Sequence, residues 1–340
     1  MSTAHDESWG LPHKPGRRAW WPRIVKLLLL AALISALAFP WWLSSQVTRI
    51  DVAGLSTDRS SLHILVVGSD SREGLSEEQQ SVFGADSVDG ERADTIFVLS
   101  LDGGKAAVLA FPRDLWVERC DGTMGRINSA TAISGPSCLV RTVRDLSGIN
   151  LNHYMALSFG GFATLVDSIG GVELCLDEAI SDRDAHIDLP AGCQRLNGAD
   201  ALGFVRVRKI DNDLMRIQRQ QEFVQAFARE FASPARLLNP LRLAELASDS
   251  GHAVRVDERM GVLAMARLAL GARGLGRGSG VINTVPVDPR TTSDGAAVLE
   301  MRIAEAEELF AAHRTGSIFD DILDLGVDAD IRPSEVQVTI

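Results

Sequence analysis

The chain has 340 residues, 46% hydrophobic and 23% charged, with a formal net charge of −11. This composition is that of a folded protein and argues against intrinsic disorder. The length accommodates one large domain or two ordinary ones.

An apolar segment near the start predicts a membrane anchor. Ile24–Leu43 is almost wholly apolar, Trp20 and Trp21 precede it, and Trp41 and Trp42 lie at its other end. In a helix, these pairs would stand roughly 32 Å apart, which matches a bilayer core with an aromatic belt at each face. Basic residues precede the segment and few follow it, so we expect residues 1–23 in the cytoplasm and the rest outside a cell membrane that the chain crosses once.

A cleavable signal peptide is the alternative, because Ala36-Leu37-Ala38 has the small-x-small form that signal peptidase accepts. Pro40, the following tryptophans and the length of the apolar run favour a retained anchor. Either way the bulk of the chain is exported. An acidic exported domain does not normally meet DNA, so we expect no nucleic-acid partner.

Cysteine usage is consistent with export. Cys120, Cys138, Cys175 and Cys193 allow three disulfide pairings. We favour the sequential one, Cys120–Cys138 with Cys175–Cys193, which closes two loops of about 17 residues, each worth roughly 3 kcal/mol in loop entropy. A zinc site is the alternative, but neither a C-x-x-C motif nor suitable histidine spacing is present.

Strands alternate with helices along the exported part, which predicts an α/β sandwich with a mixed sheet. After a connector at 44–61, we predict strands at Leu62–Gly68, Thr95–Leu101, Ala106–Phe111, Val172–Leu176, around Val205 and Val207, and at Val281–Val287. We predict helices at Cys138–Leu146, Phe159–Ile169, from Asn197 to Leu202, and at Asp213–Phe231, Leu237–Leu246, Met260–Leu270 and Gly295–His313. Residues 71–92 form an exposed loop in this scheme, and residues 316–340 a loose acidic tail.

Charged residues gather where the first three strands begin or end. Asp70 follows the first strand, Arg92 and Asp94 precede the second, and Arg113 and Asp114 follow the third. Hairpin geometry brings these positions to one sheet edge, where open α/β sheets place ligands. Two aspartates without an intervening lysine suit Mg²⁺ or Mn²⁺. Alternatively, each Arg–Asp pair is a structural salt bridge worth about 0–1 kcal/mol.

A second cationic stretch runs from Arg206 to Gln220 in an otherwise acidic chain. Arg206 and Arg208 alternate with valines as on a strand, and Arg216 and Arg219 recur at helical spacing. Four guanidinium groups on adjacent elements would repel one another unless an anion lay between them, and phosphate matches their planar donor geometry. The alternative is a solvated basic face neutralised by the neighbouring aspartates.

Seven sequence blocks, in this order, resemble those of the LytR-CpsA-Psr family. They are V-G-S-D-S-R (Val67–Arg72), R-A-D-T (Arg92–Thr95), F-P-R-D (Phe111–Asp114), G-R-I-N (Gly125–Asn128), D-S-I-G-G-V (Asp167–Val172), L-N-G-x-x-A-L (Leu196–Leu202) and R-V-R-K with D-x-x-R-x-x-R-Q (Arg206–Gln220). The resemblance covers about residues 62–232 and extends less securely to 315. It implies one transmembrane helix followed by an extracytoplasmic α/β/α sandwich with a mixed central sheet.

The resemblance also implies a phosphotransferase activity. Family members move a glycopolymer from a polyprenyl-pyrophosphate carrier to peptidoglycan, typically to the 6-hydroxyl of N-acetylmuramic acid, and leave polyprenyl phosphate. The two cysteine pairs and the long 71–92 loop look like actinobacterial members, which attach arabinogalactan. A polyprenyl-pyrophosphate hydrolase and a non-catalytic envelope regulator or lipid sensor remain alternatives.

Site roles carry over by position from the same resemblance. Asp70 and Asp94 are the implied ligands of Mg²⁺ or Mn²⁺, and Arg92, Arg113 and Asp114 are the implied catalytic group, in which Asp114 orients Arg113 or the metal. The implied pyrophosphate-binding residues are Arg92, Arg113, Arg126, Arg206, Arg208, Arg216, Arg219 and Gln220. This chain departs from the family pattern at Ala93, where serine is usual, and at Arg126, where lysine is commoner.

Overall fold

The structure is a computed structural model that describes residues 24–27, 38–39, 41–42, 44–58, 61–69, 93–183, 185–207, 213–231, 233, 254–278 and 280–320. Within 213–231, the side chains of residues 213–218, 220 and 221 are outside this description. The chain divides into two compact units, Met1–Trp42 and Leu43–Ile340.

The first unit contains most of the predicted membrane span, and that prediction falls largely outside the described residues. In the described part, the rings of Phe39 and Trp42 stack with their centroids 6.0 Å apart. Among the described residues, no helix has both the length and the apolar content needed to cross a membrane.

The second unit alternates strands and helices. In chain order its strands are β1 (Thr48–Ile50), β2 (Leu62–Ser69), β3 (Ala93–Asp102), β4 (Lys105–Phe111), β5 (Trp116–Glu118), β6 (Met124–Arg126), β7 (His153–Ser158), β8 (Val172–Leu176), β9 (Ile180–Asp182), β10 (Ile187–Leu189), β11 (Gly192–Leu196), β12 (Val254–Asp257), β13 (Gly280–Thr284), β14 (Val287–Thr291) and β15 (Ala297–Met301). Its helices are α1 (Ala130–Ser147), α2 (Phe159–Ser168), α3 (Gly198–Arg206), α4 (Asp213–Phe231), α5 (Val262–Gly276) and α6 (Ile303–Thr315), with short 3₁₀ turns at Ile127–Ser129 and Ser317–Phe319.

A seven-stranded mixed sheet in the order β1-β12-β7-β2-β3-β4-β13 forms the centre of this unit. Strand β2 pairs in parallel with β7 and antiparallel with β3, and β3 continues into the antiparallel β4. Seven of the eight residues of β2 are buried, as expected for a strand covered on both faces. The hairpin expected between the second and third predicted strands turns at Gly103 and Gly104, both at positive φ.

Helices cover both faces of the sheet. On one face, Leu65 and Leu109 belong to a core cluster that includes Leu139 of α1 and Phe310 of α6. On the other face, Ile64 of β2 and Val108 of β4 belong to a cluster with Ala228 of α4 and Leu275 of α5. The predicted α/β/α sandwich with a mixed central sheet is therefore confirmed.

The strand predicted around Val205 and Val207 is wrong, because α3 continues through Arg206. The side chain of Asn197 caps this helix, because its Oδ1 accepts a hydrogen bond from the backbone N–H of Asp200 at 2.9 Å. Leu202 and Phe204 then bury one side of the helix. Two valines alternating with two arginines are too short a pattern to separate a strand from the last turn of a capped helix.

Two predictions near the ends of the domain are also wrong, and a third is tested only at its first residues. The connector at 44–61 contains β1, which pairs in parallel with β12 and so begins the sheet early. The predicted helix Gly295–His313 is instead β15 followed by α6. The predicted tail starts with a packed turn in which Ile318 and Phe319 are buried, whereas residues 321–340 lie outside the described residues. Partners distant in sequence decide the structure of β1 and of the packed turn, whereas β15 is decided by its hairpin partner β14. The predicted helix Leu237–Leu246 and the loop 71–92 also lie outside the described residues.

Both predicted disulfides are confirmed, so the zinc alternative is wrong. Cys120 and Cys138 link the segment after β5 to α1, with their Cα atoms 5.2 Å apart. Cys175 and Cys193 face one another in the β8–β11 pair, with a Cα separation of 3.8 Å. No free cysteine is present among the described residues, which contain all four.

Two of the seven motif blocks have an architectural explanation. In L-N-G, Gly198 starts α3 against the backbone of α2, and its N–H donates to Oδ1 of Asp167, from D-S-I-G-G-V, at 2.7 Å. In the second block, Gly171 has a φ of +84°, and a Cβ there would lie 2.6 Å from the carbonyl oxygen of Leu196. Both glycines therefore allow α2, α3 and β11 to pack closely.

Gly198→Ala should destabilise the domain. A Cβ at this position would lie 2.2 Å from the carbonyl oxygen of Ala163, and backbone on both sides leaves little room to adjust. We expect a loss of about 1–3 kcal/mol in the free energy of unfolding, measured by urea denaturation. Gly261→Ala is the matched control, because a Cβ there meets nothing within 4 Å. Equal stability of the two variants would contradict this account of the motif.

Candidate active site at one edge of the sheet

Strand register brings several chain segments to one edge of the sheet. Ser69, at the end of β2, pairs with Ala93 at the start of β3 and with Ser158 at the end of β7. Strand β4 runs parallel to β2 and ends at Phe111, opposite Ile96 near the start of β3. The residues that follow β2, β4 and β7, and the first residues of β3, therefore share this edge, as predicted.

Four charged side chains form a continuous chain of ion pairs at this edge. Nη1 of Arg113 donates to Oδ1 of Asp94 at 2.8 Å, and its Nε donates to Oδ2 of Asp114 at 3.3 Å. Oδ1 of Asp114 in turn pairs with Nε of Arg126 at 3.3 Å. The predicted gathering of Asp94, Arg113 and Asp114 is therefore confirmed, and Arg126 joins them.

The position of Arg113 favours a permanent positive charge. Its side chain is 23% exposed, so ligands can reach it although much of it is shielded from water. Burial lowers the pKa of Arg113, but the charges and hydrogen bonds of Asp94 and Asp114 outweigh burial and raise the pKa above its ordinary value. The guanidinium thus remains charged and is held in one orientation by two carboxylates.

The backbone around this cluster is fixed by the G-R-I-N block. The N–H of Ile127 donates to the carbonyl of Leu115 at 2.8 Å, and the N–H of Asn128 to the carbonyl of Arg113 at 3.2 Å. On the other side, the N–H of Leu299 in β15 donates to the carbonyl of Asp114 at 3.0 Å. The β14–β15 hairpin therefore supports the site, a role that the sequence patterns did not reveal.

Arg206 lies at the same edge of the sheet, next to the end of β7. It lies in the last turn of α3, with its guanidinium carbon 4.9 Å from the centroid of the Phe159 ring. Phe159 directly follows Ser158, the residue that pairs with Ser69 at the site edge. Arg206 therefore lies at the end of a helix and not on the predicted strand. Its predicted contact with pyrophosphate stays a prediction.

Arg219 is 7% exposed, and its Nη1 donates to the carbonyl oxygen of Val207 at 3.3 Å. This contact ties α4 to the chain just after α3, so Arg219 positions the segment that carries Arg206. Its predicted contact with pyrophosphate stays a prediction. The other predicted site residues, Asp70, Arg92, Arg208, Arg216 and Gln220, lie outside the described residues or side chains.

One described carboxylate at this edge, that of Asp94, has an oxygen that could ligate Mg²⁺ or Mn²⁺. Asp94 is 29% exposed, and Arg113 binds its Oδ1 but not its Oδ2, whereas both carboxylate oxygens of Asp114 face guanidinium groups. In the described part of the chain, no three His, Cys, Asp or Glu residues converge on one point. Mg²⁺ commonly uses one or two carboxylates with phosphate oxygens and water, so Asp94 is a suitable ligand and Asp70 remains the predicted second one.

His153 is not part of this site. It begins β7 and therefore lies at the opposite edge of the sheet, where its Nδ1 is 2.9 Å from Oδ2 of the buried Asp257. His153 thus links β7 to β12, the strand that carries Asp257.

Comparison with known proteins gives this site a family context. Residues 44–315 match the LytR_cpsA_psr family. The chain belongs to this family. The match begins before residue 62 and so includes β1, in agreement with the sheet.

Two of the relatives that match this chain are named for cell wall assembly, and another, from Staphylococcus aureus, is named regulatory protein MsrR. The probable cell wall biosynthesis protein LcpB of Corynebacterium glutamicum is 36% identical over 293 residues, which are 84% of this chain and 70% of LcpB. The polyisoprenyl-teichoic acid–peptidoglycan teichoic acid transferase TagU of Oceanobacillus iheyensis is 30% identical over 54% of this chain and 55% of its own length. The expected transferase class is therefore confirmed at the level of the family, because TagU is a named transferase.

A solved structure supports the fold. The LytR-Csp2A-Psr enzyme from Actinomyces oris superposes with a TM-score of 0.62 over 79% of this chain and 96% of that protein, at 23% identity. Both chains thus share the mixed α/β architecture that places the strand ends at one edge.

Proposed function

We propose that this LytR_cpsA_psr protein transfers a glycopolymer from a polyprenyl-pyrophosphate carrier to peptidoglycan. The observation that carries the proposal is the linked Asp94–Arg113–Asp114–Arg126 cluster at the ligand-binding edge of the sheet. Arabinogalactan is the polymer we propose, on the resemblance to actinobacterial members.

The proposed reaction is a phosphoryl-type transfer. The acceptor hydroxyl oxygen bonds to the sugar-linked phosphorus, the bond from that phosphorus to the bridging oxygen breaks, and polyprenyl phosphate leaves with the bridging oxygen. The hydroxyl proton passes to a base or to water. Arg113 and Arg126 stabilise the charge on the phosphate oxygens, which is the main requirement of such a transition state. A bound Mg²⁺ or Mn²⁺, held by Asp94 and the predicted ligand Asp70, would add positive charge on the same oxygens.

Asp114 is better suited to positioning than to proton abstraction. Its two carboxylate oxygens face the Nε atoms of Arg113 and Arg126 at 3.3 Å. Each carboxylate oxygen is thus already paired with a guanidinium group, and Asp114 links the two arginines. We therefore assign Asp114 to the orientation of the two arginines.

We also propose that the protein is anchored in the cell membrane by residues 24–43, with the catalytic domain outside. The apolar segment and its tryptophan pairs support the anchor. The two disulfides support an extracytoplasmic location for the domain, because disulfides persist mainly in oxidising compartments.

The test is a product assay with the purified full chain, a labelled polyprenyl-pyrophosphate glycan and peptidoglycan oligomers. We expect polymer-linked oligomer and polyprenyl phosphate in equal amounts. Release of the polymer as a free phosphate, with no dependence on the oligomer, would show that water is the acceptor. Absence of any turnover would favour a regulatory protein.

A further inference from the structure

A cleft of about 340 Å³ lies beside the ion-pair cluster and is not used by the reaction described so far. Trp116, Arg119 and Met124 line it from the β5–β6 pair and the segment between them, Asn128 from the following turn, and Asp294 from the turn between β14 and β15. Arg126 lines the cleft and also belongs to the ion-pair cluster. The cleft therefore opens next to the proposed reaction centre.

The walls of the cleft are held in place before any ligand arrives. Trp116 and Arg126 are directly opposite one another in the antiparallel β5–β6 pair. Nη1 of Arg119 donates to Oγ of Ser129 at 2.9 Å, and the neighbouring Cys120 is disulfide-bonded to α1. The opposite wall is joined to the site by the N–H of Leu299, and Nη2 of Arg126 donates to the carbonyl of Ala297 at 2.9 Å.

The lining combines one aromatic surface with planar polar groups. A pyranose ring presents an apolar C–H surface together with hydroxyl and amide groups at its rim. The indole ring of Trp116 can stack on the C–H surface of a sugar. The polar groups that can hydrogen-bond to the hydroxyl and amide groups at its rim are those of Arg119, Asn128 and Asp294. The chemistry of the cleft thus points to a carbohydrate rather than to a lipid.

The position of the cleft distinguishes the acceptor sugar from the donor. In phosphoryl transfer, the attacking and leaving oxygens lie roughly in line on opposite sides of the phosphorus. At the β7 end of the site edge, Arg206 lies over Phe159, which belongs with Phe162 and Leu202 to one apolar cluster. This apolar end suits the isoprenoid leaving group, so the attacking hydroxyl should enter from the β4 end, where the cleft lies.

We infer that the cleft beside Trp116 binds a sugar ring of the peptidoglycan acceptor and presents its hydroxyl to the Arg113–Arg126 cluster. The inference rests on the proposed function for the identity of the acceptor. The binding itself needs no donor and can be measured separately from transfer.

The first experiment labels the full chain with 5-fluorotryptophan and titrates it with undecorated peptidoglycan oligomers. The chain contains six tryptophans, five of them within residues 1–42, so Trp116→Phe assigns the one signal from the catalytic domain. We expect that signal alone to shift on binding. We also expect Trp116→Ala to weaken binding by about tenfold or more, measured by calorimetry, and Trp116→Phe to weaken it less.

Leu263→Ala is the matched control, because Leu263 is 76% exposed on α5 and lies outside the cleft. Thermal unfolding of each variant establishes that it is folded. An unchanged Trp116 signal, or equal oligomer affinity of Trp116→Ala and Leu263→Ala, would overturn the inference even if wild-type transfer is observed.

Transfer kinetics provide the second arm. We expect Trp116→Ala and Asp294→Asn to raise the KM for the oligomer far more than the KM for the donor. A rise confined to the donor KM would assign the cleft to the donor glycan and overturn the inference. If the wild type binds oligomers at Trp116 but transfers nothing, the cleft stands and the proposed function fails.

Discussion

Arg113→Ala should reduce the rate of glycopolymer transfer by about 10²–10³-fold. Among the described residues, Arg113 alone contacts both Asp94 and Asp114. It therefore holds both carboxylates, together with its own charge, at the strand-end site. Removal of a single pre-positioned donor to a developing oxyanion commonly costs this much in kcat. The rate is measured in the same product assay as for the wild type.

The variant Arg113→Lys tests why an arginine is needed. A lysine keeps the charge but has one nitrogen, whereas Arg113 uses Nη1 for Asp94 and Nε for Asp114. We expect Arg113→Lys to recover only part of the lost rate. Arg144→Ala is the control, because Arg144 is an exposed arginine that also pairs with the aspartate following it. If Arg113→Ala stays within threefold of Arg144→Ala, the cluster is structural and the proposed mechanism is wrong.

The location of this cluster could be predicted from sequence because it depends on short-range geometry. Asp94 is the second residue of β3 and Arg113 follows β4, and a two-glycine hairpin between those strands fixes their register. Once the hairpin is recognised, the start of one strand must lie beside the end of the other. Strand-end residues and cysteine spacing were therefore informative.

The parts that failed depend on pairing partners and helix ends that hydrophobic periodicity does not show. β1 is too short to recognise and exists because it pairs with β12, about 200 residues away. The β14–β15 hairpin forms one wall of the Trp116 cleft, yet its second strand was predicted as a helix. Arg206 was assigned to a strand because two alternating residues could not reveal the end of α3. Pairing partners and helix caps decide these segments, and neither follows from periodicity alone.

The motif blocks serve two different purposes. Arg113, Asp114 and Arg126 bring charge to the site, whereas Asp167, Gly171 and Gly198 contain no group that reaches it. The second set allows α3 to pack directly on α2, and α3 ends at Arg206 beside Phe159. Substitutions in the second set should therefore lower the stability of the domain. They should affect catalysis only by displacing Arg206.

A buried histidine pair makes the stability of the domain depend on pH. Oγ of Ser100 in β3 is 2.8 Å from Nδ1 of His63 in β2 and 2.8 Å from Nδ1 of His313 in α6. Burial lowers the pKa of His63 to about 4, and the charge of Asp58 opposes this only in part. Burial also lowers the pKa of His313 to about 4, and nearby His63 adds to the effect. Both histidines are therefore neutral in the folded protein at neutral pH.

The sign of the pH dependence follows from these shifts. Unfolded histidine has a pKa near 6.5, so between pH 6.5 and 4 the unfolded chain binds protons that the folded protein does not. Stability should therefore fall as the pH decreases from 7 to 5, by about 2 kcal/mol per histidine. His313→Gln, measured by urea unfolding with the disulfides intact, should lose about half of this pH dependence. His186→Gln, which alters an exposed histidine, should retain all of it. Parallel pH profiles for these two variants would show that the buried pair does not control acid stability.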